Sequence, residues 1–142
     1  MAFENPSREE IKEILLKAGN IAVVGLSDKT DRTSYMVAQA LQNNGYRIIP
    51  VNPTVSGEIL GEKVYPSLSD IPEPVDIVNV FRRSEQTPPV AEEAVKIGAR
   101  VLWLQLGIAS DEAYEIASKG GLTVIMDRCI KVEDSILIGK RS

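Results

Sequence analysis

Histidine is absent from the chain, and cysteine occurs once, at Cys129. The first absence excludes Ser-His-Asp triads, Cys-His dyads, histidine metal ligands and phosphohistidine intermediates together. The second excludes an internal disulfide and, with no histidine beside it, argues against a transition-metal site. No run approaches the roughly 18 apolar residues that cross a bilayer, and Met1–Arg8 has neither the basic nor the apolar region of a signal peptide. A soluble cytoplasmic protein with no membrane partner is expected. Cationic charge is also in short supply: 16 Lys and Arg face 20 Asp and Glu, a net charge of -4. That balance argues against nucleic acid as the main partner, because phosphate backbones are held by clustered Lys and Arg. A small anion can still be held by a local basic spot.

What is present is enough for one core: 142 residues, 44% of them hydrophobic, with no linker or low-complexity segment. A single domain over residues 1–142 is expected. Apolar runs of strand length recur at Ile21–Val24, Arg47–Val51, Val75–Phe81, Arg100–Leu106 and Thr123–Met126. Each is nearly continuous rather than alternating, the pattern of strands covered on both faces. Helical patterns lie between and before them. Ser7–Ala18 opens with a Ser-x-x-Glu capping box and is followed by Gly19; Thr33–Asn43, Pro88–Ile97 and Asp111–Ser118 each end just before a glycine, and a weaker one spans Leu68–Ile71. Strands alternating with helices predict an α/β, Rossmann-like, doubly wound parallel sheet of five strands. The expected order is 3-2-1-4-5, with a ligand crevice at the carboxyl ends of strands 1, 2 and 4.

The first strand runs into Gly25-Leu26-Ser27-Asp28-Lys29-Thr30-Asp31-Arg32-Thr33-Ser34 and then into a helix. A helix N-terminus leaves backbone N–H groups without partners and points its positive end at the turn, so such a turn suits a phosphate. Of the three glycines of the usual dinucleotide fingerprint only Gly25 holds its place; Ser27 and Thr30 occupy the other two. Phosphate contacts are expected from the backbone near Ser27, from Arg32, and from the hydroxyls of Ser27, Thr33 or Ser34. Asp28 and Asp31 must turn outward or be offset by Lys29 and Arg32. The alternative is a solvated loop with a Ser or Thr N-cap.

The other strand ends add polar groups. The second ends in Val51-Asn52-Pro53 where an NAD site has an acid for the ribose, so ordinary NAD use is not expected. Asn52 can serve a ribose or a base edge, or simply make an Asn-Pro turn. The third ends in Phe81-Arg82-Arg83, and alternation lets at most one arginine face a crevice. The fourth carries Trp103, expected in the core, then Gln105 and Gly107. Glu92-Glu93 and Asp111-Glu112 fall near helix starts and read as structural.

Taken with Asp127-Arg128-Cys129-Ile-Lys-Val-Glu133, these segments resemble the stand-alone CoA-binding domain proteins, which look like the N-terminal nucleotide-binding domain of the succinyl-CoA synthetase alpha subunit. The resemblance covers about Ile14 to Glu133. It implies binding of coenzyme A or an acyl-CoA, with the pyrophosphate near the turn after strand one and the adenosine near the end of strand two. By this resemblance Ser27, Asp28, Lys29 and Thr30 match the synthetase turn that touches CoA, Arg32 matches a basic position of the small family members, Pro53 matches the proline after strand two, and Gln105, Leu106 and Gly107 fall where the strand-four contacts lie. Two positions depart from the pattern. Thr54-Val55 stand where the synthetase has a lysine shortly after the proline, leaving Lys63 as a candidate substitute, and Asp134 stands where the family often has histidine.

The leading expectation is therefore a CoA or acyl-CoA binding protein without a complete catalytic site. The alternatives are an NAD(P)-binding protein or redox sensor, with Arg32 or Arg82 accepting a 2'-phosphate, and the CoA-binding subunit of a multi-chain acyl-CoA ligase. A weaker idea gives Cys129 a mixed disulfide with CoA. The apolar residues of Ser135–Gly139 either pack back on the domain or join a homodimer or another protein partner.

Overall fold

The reciprocal cap expected at Ser7 is present: its hydroxyl accepts from the Glu10 N–H while the Glu10 carboxylate accepts from the Ser7 N–H. The helix that follows, α1 (Arg8–Lys17), buries Ile11 and Leu15 one turn apart. A computed structural model describes residues 3–141. After α1 come β1 (Asn20–Val24), α2 (Thr33–Asn43), β2 (Arg47–Val51), a short antiparallel hairpin of β3 (Glu58–Ile59) and β4 (Glu62–Lys63), β5 (Ile77–Val80), α3 (Thr87–Lys96), β6 (Val101–Leu104), α4 (Asp111–Lys119), β7 (Thr123–Ile125) and α5 (Ile130–Leu137). The stretch expected to be helical near Leu68 is a single 3-10 turn, Leu68–Asp70.

Five strands form one parallel sheet in the order β2-β1-β5-β6-β7 with helices on both faces, an α/β Rossmann-like fold. Along the chain that order is 2-1-3-4-5, which corrects the expected 3-2-1-4-5. The third apolar run, now β5, lies against β1 rather than outside β2. A strand placed outside β2 would need a crossover helix. Residues 52–76 instead carry Pro53, Pro66, Pro72 and Pro74, and among the described residues Tyr65 alone bridges the outer edge of β2, at Val51. The consequence falls on the site. The chain reverses direction between β1 and β5, so the crevice opens at the carboxyl ends of β1, β2 and β5, and not at the fourth run, β6, as expected.

Strand alternation divides the core. Ala22, Val24, Val78, Val80, Leu102 and Leu104 pack against α3 and α4 through Ala91, Ala94, Ala113 and Ala117. Ile21, Val23, Ile77 and Trp103 face α1, α2 and α5 through Leu15, Val37, Leu41 and Ile130. Trp103 is wholly buried, as expected, and its indole N–H donates to the Arg128 carbonyl at 2.9 Å. Helix α5 was not foreseen; its N-cap, Cys129, supplies no side-chain bond that would signal a start. It places Leu137 and Ile138 against the core, so that part of Ser135–Gly139 packs back, while Ile136 stays exposed.

Buried Asp134 ties α5 to the end of α2. It accepts from the Tyr46 hydroxyl at 2.6 Å and from Asn44 Nδ2 at 2.7 Å. Burial first, and then the hydrogen bond to Asp134, push the Tyr46 phenol above its ordinary range. No helix among the described residues is long and apolar enough to cross a membrane.

Candidate functional site

The carboxyl edge of the sheet is knit together for one residue beyond the strands. The Gly25 N–H donates to Val51 O at 2.8 Å, the Phe81 N–H to Val24 O at 2.8 Å and the Gln105 N–H to Val80 O at 3.2 Å. By the register, Asn52, Gly25, Phe81 and Gln105 form one row across four strands on the α2 and α5 side. Gly25 sits at φ +87°, and a Cβ there would lie 2.4 Å from Phe81 O. Only glycine fits, because the conformation is left-handed and the next strand's backbone fills the space a side chain would need.

Beyond Gly25 the turn folds on its own hydroxyls. Ser34 Oγ accepts from the Ser27 N–H at 3.1 Å, and Ser27 Oγ accepts from the Lys29 N–H at 3.0 Å. Arg32, in extended conformation, is the N-cap of α2 and makes no cap hydrogen bond; no acid lies in the first turn. The positive end of α2 therefore faces outward with its first N–H groups available. In front of it is a cavity of about 480 Å³, walled on one side by Ser27, Lys29, Arg32 and Thr33 and on the other by Asn52, Thr54 and Val55. Neither Lys29 nor Arg32 makes an ion pair among the described residues.

Of the residues singled out from sequence, Gly25, Ser27, Asp28, Lys29, Arg32, Thr33, Ser34, Asn52 and Phe81 line this one cavity. Thr30 belongs to the same exposed turn but not to the lining. Asn52 holds the walls together: Nδ2 donates to Leu26 O at 3.0 Å, and Oδ1 accepts from the Thr54 N–H at 2.9 Å and the Thr54 hydroxyl at 2.8 Å. Pro53 and Arg82 line a second groove of about 460 Å³ on the α3 side, floored by Val24, Val51 and Val90. Arg82 Nε lies 3.4 Å from the place a Gly25 Cβ would take, on the ridge between the two spaces. Arg83 turns away to Glu85 at 3.5 Å.

Gln105 and Gly107 line neither space. Gln105 is buried, and its Oε1 accepts from Asn79 Nδ2 and from the Ile130 N–H, each at 3.4 Å, fixing the start of α5. The Gly107 N–H donates to Asp127 Oδ1 at 2.7 Å. Cys129 is half-buried against the core on the α5 side. Lys63, the candidate substitute for a missing cation, stands over the Tyr65 ring at 5.2 Å and lines neither space. Sequence reasoning missed Thr54 and Val55 as wall residues and missed Val90 altogether; only the register of β2 and the docking of α3 place them there.

Residues 19–135 match a family model described as CoA binding domain. The chain is 57% identical over 134 residues to the uncharacterized protein YneT of Bacillus subtilis (strain 168), covering 94% of this chain and 98% of that protein. It is 32% identical over 117 residues to the ADP-forming acetate–CoA ligase II of Archaeoglobus fulgidus, covering 74% of this chain and 17% of the ligase. The chain thus spans less than a fifth of that relative. A hypothetical protein from Pyrococcus horikoshii OT3 superposes with a TM-score of 0.91 at 37% identity, covering 98% of this chain and all of that one (100%).

Proposed function

The chain belongs to the CoA-binding domain family, and from that premise we propose that it binds coenzyme A or an acyl-CoA at the carboxyl edge of its sheet, without a complete catalytic site of its own. The pyrophosphate occupies the cavity before α2, where backbone N–H groups, the hydroxyls of Ser27 and Thr33, and the charges of Lys29 and Arg32 converge. Pro53 and Arg82 lie where the ligand passes from that cavity toward the α3 side. The observation that carries this reading is the uncapped, acid-free start of α2 behind the tightly packed Gly25. The row Asn52, Gly25, Phe81, Gln105 has no carboxylate for ribose hydroxyls, which speaks against NAD. Titration calorimetry of the folded, ligand-free protein with CoA, NAD and NADPH tests the reading. Heat from CoA and little from the nicotinamide nucleotides is expected; no binding of CoA by folded protein would overturn it.

The 32% identity to an acetate–CoA ligase favours a second reading, in which the chain is the CoA-binding part of a multi-chain acyl-CoA ligase. Co-purification of a second polypeptide together with CoA-dependent turnover is the outcome that reading requires.

A further inference from the structure

Helices cover both faces of a parallel sheet, but its two outer strands still present N–H and C=O groups to any further strand. Here the outer strands are β2 and β7, and each is met by two hydrogen bonds from outside the sheet. At β2 they come from backbone: the Tyr65 N–H donates to Pro50 O at 3.0 Å, and Tyr65 O accepts from the Asn52 N–H at 3.0 Å. At β7 they come from one side chain. Asn5 Nδ2 donates to Met126 O at 2.9 Å, and Asn5 Oδ1 accepts from the Met126 N–H at 2.9 Å. The Asn5 amide, 121 positions away in sequence, stands in for one residue of a sixth strand.

The rest of that edge is open. The Thr123 N–H donates inward, to Arg100 O, so alternation turns the N–H and C=O of Val124 outward, as it does those of Met126. Beside Val124 lies a groove of about 570 Å³, bounded by Leu122 and Thr123 and, across it, by Asn5, Pro6 and Tyr114. No charged residue occurs in Leu122–Met126, where natural sheet edges place charge to repel a further strand. Residues 3–7 belong to no helix or strand, and Phe3 meets the Tyr114 ring edge-on with centroids 4.9 Å apart.

We propose that residues 3–6 are a strap that closes the β7 edge against a second copy of this chain, with Asn5 as its clasp and the Phe3 contact as its anchor. The second copy is the occupant that the edge itself fits. Outward-facing Val124 and Met126 are two residues apart, so two β7 edges related by a two-fold axis pair antiparallel about Ile125. Val124 of each copy then exchanges N–H and C=O bonds with Met126 of the other, and two five-stranded sheets become one. With Asn5 in place the Met126 groups are taken and that pairing is blocked. The strap lies at the opposite side of the sheet from the cavity before α2 and acts with or without a ligand there.

Sedimentation velocity of the full chain across a wide concentration range, with hydrogen exchange read at Val124 and Met126, tests the strap on wild type, Asn5→Ala and Phe3→Ala. Wild type should stay monomeric, with fast exchange at Val124 and slow exchange at Met126. Dilute Asn5→Ala should exchange at Met126 faster by about tenfold or more, the scale of two net hydrogen bonds. Concentrated Asn5→Ala should dimerise, with both amides slowed. Phe3→Ala keeps the clasp and should move the same readings in the same direction by a smaller factor; should Asn5→Ala melt out, this variant carries the test. A folded Asn5→Ala that stays monomeric at every concentration, or a dimer in which Val124 still exchanges fast, would overturn the assignment. So would a wild type already dimeric with Val124 protected.

Discussion

Helices α2 and α4 both start at the carboxyl edge of the same parallel sheet, each after a loop that turns on a glycine, yet their N-termini are finished in opposite ways. At α4, Ser110 Oγ accepts from the Ala113 N–H at 3.1 Å and the first turn holds Asp111 and Glu112. At α2 the N-cap is Arg32, no acid follows, and a first-turn hydroxyl, Ser34 Oγ, turns back to accept from the Ser27 N–H. The α4 start is closed within the chain: the Ser110 hydroxyl takes the Ala113 N–H, and two carboxylates in the first turn offset the dipole. The α2 start leaves donors and positive charge facing a cavity. The same local element is thus closed off at one place and left open toward a cavity at another, and the side chains of the first turn decide which.

Four experiments break or sharpen this contrast, beginning with the glycines that precede the two helices. Gly25→Ala meets Phe81 O at 2.4 Å, whereas a Cβ on Gly107, at φ +85°, finds nothing within 4 Å. Urea denaturation should show a loss of about 2–4 kcal/mol for Gly25→Ala, strain plus clash, against about 1 kcal/mol for Gly107→Ala, strain alone. Equal losses would remove the steric part of the contrast. Next in size, Thr33→Glu gives α2 the acidic first turn that α4 already has. Its melting temperature should hold or rise while CoA binding weakens by about tenfold, since the carboxylate takes the place of the anion. A stabilised variant that still binds CoA would separate the helix end from the ligand.

Ser110→Ala strips the cap from α4. About 1 kcal/mol of stability should be lost, with CoA affinity unchanged by calorimetry. An effect of similar size, and dependent on pH, is expected past the other end of α2, at Tyr46→Phe. Wild type should be the more stable by about 1 kcal/mol near neutral pH, because the phenol donates to the buried Asp134. The folded state raises the phenol's proton affinity, so this advantage is full below the ordinary tyrosine value of 10.0 and declines as pH rises above it. Stability curves of the two proteins should converge in alkali; a constant gap would mean that Tyr46 contributes packing alone.

Much of this molecule is legible from local pattern. The bounds of α2 and β2, Thr33–Asn43 and Arg47–Val51, are those the sequence predicts; α3 is displaced by one residue at each end, and α4 runs one residue further. Caps, glycine stops and apolar runs act within a few residues, and the turn after β1 is legible for the same reason: Gly25 to Ser34 are contiguous. The hairpin Glu58–Lys63 and α5 escaped notice, the first because two-residue strands carry no period and the second because no capping side chain marks its start.

The sequence by itself determined the α/β class, the glycine turn and the character of the groups along it, because those follow from periodicity and from the chemistry of neighbouring residues. Tertiary structure alone decided the order of the strands, the reversal between β1 and β5, and the wall of Thr54 and Val55 set opposite Arg32. Those features depend on how a proline-rich connection crosses the sheet and on which residues the register brings side by side, and such pairings between distant segments leave no periodic trace in either segment.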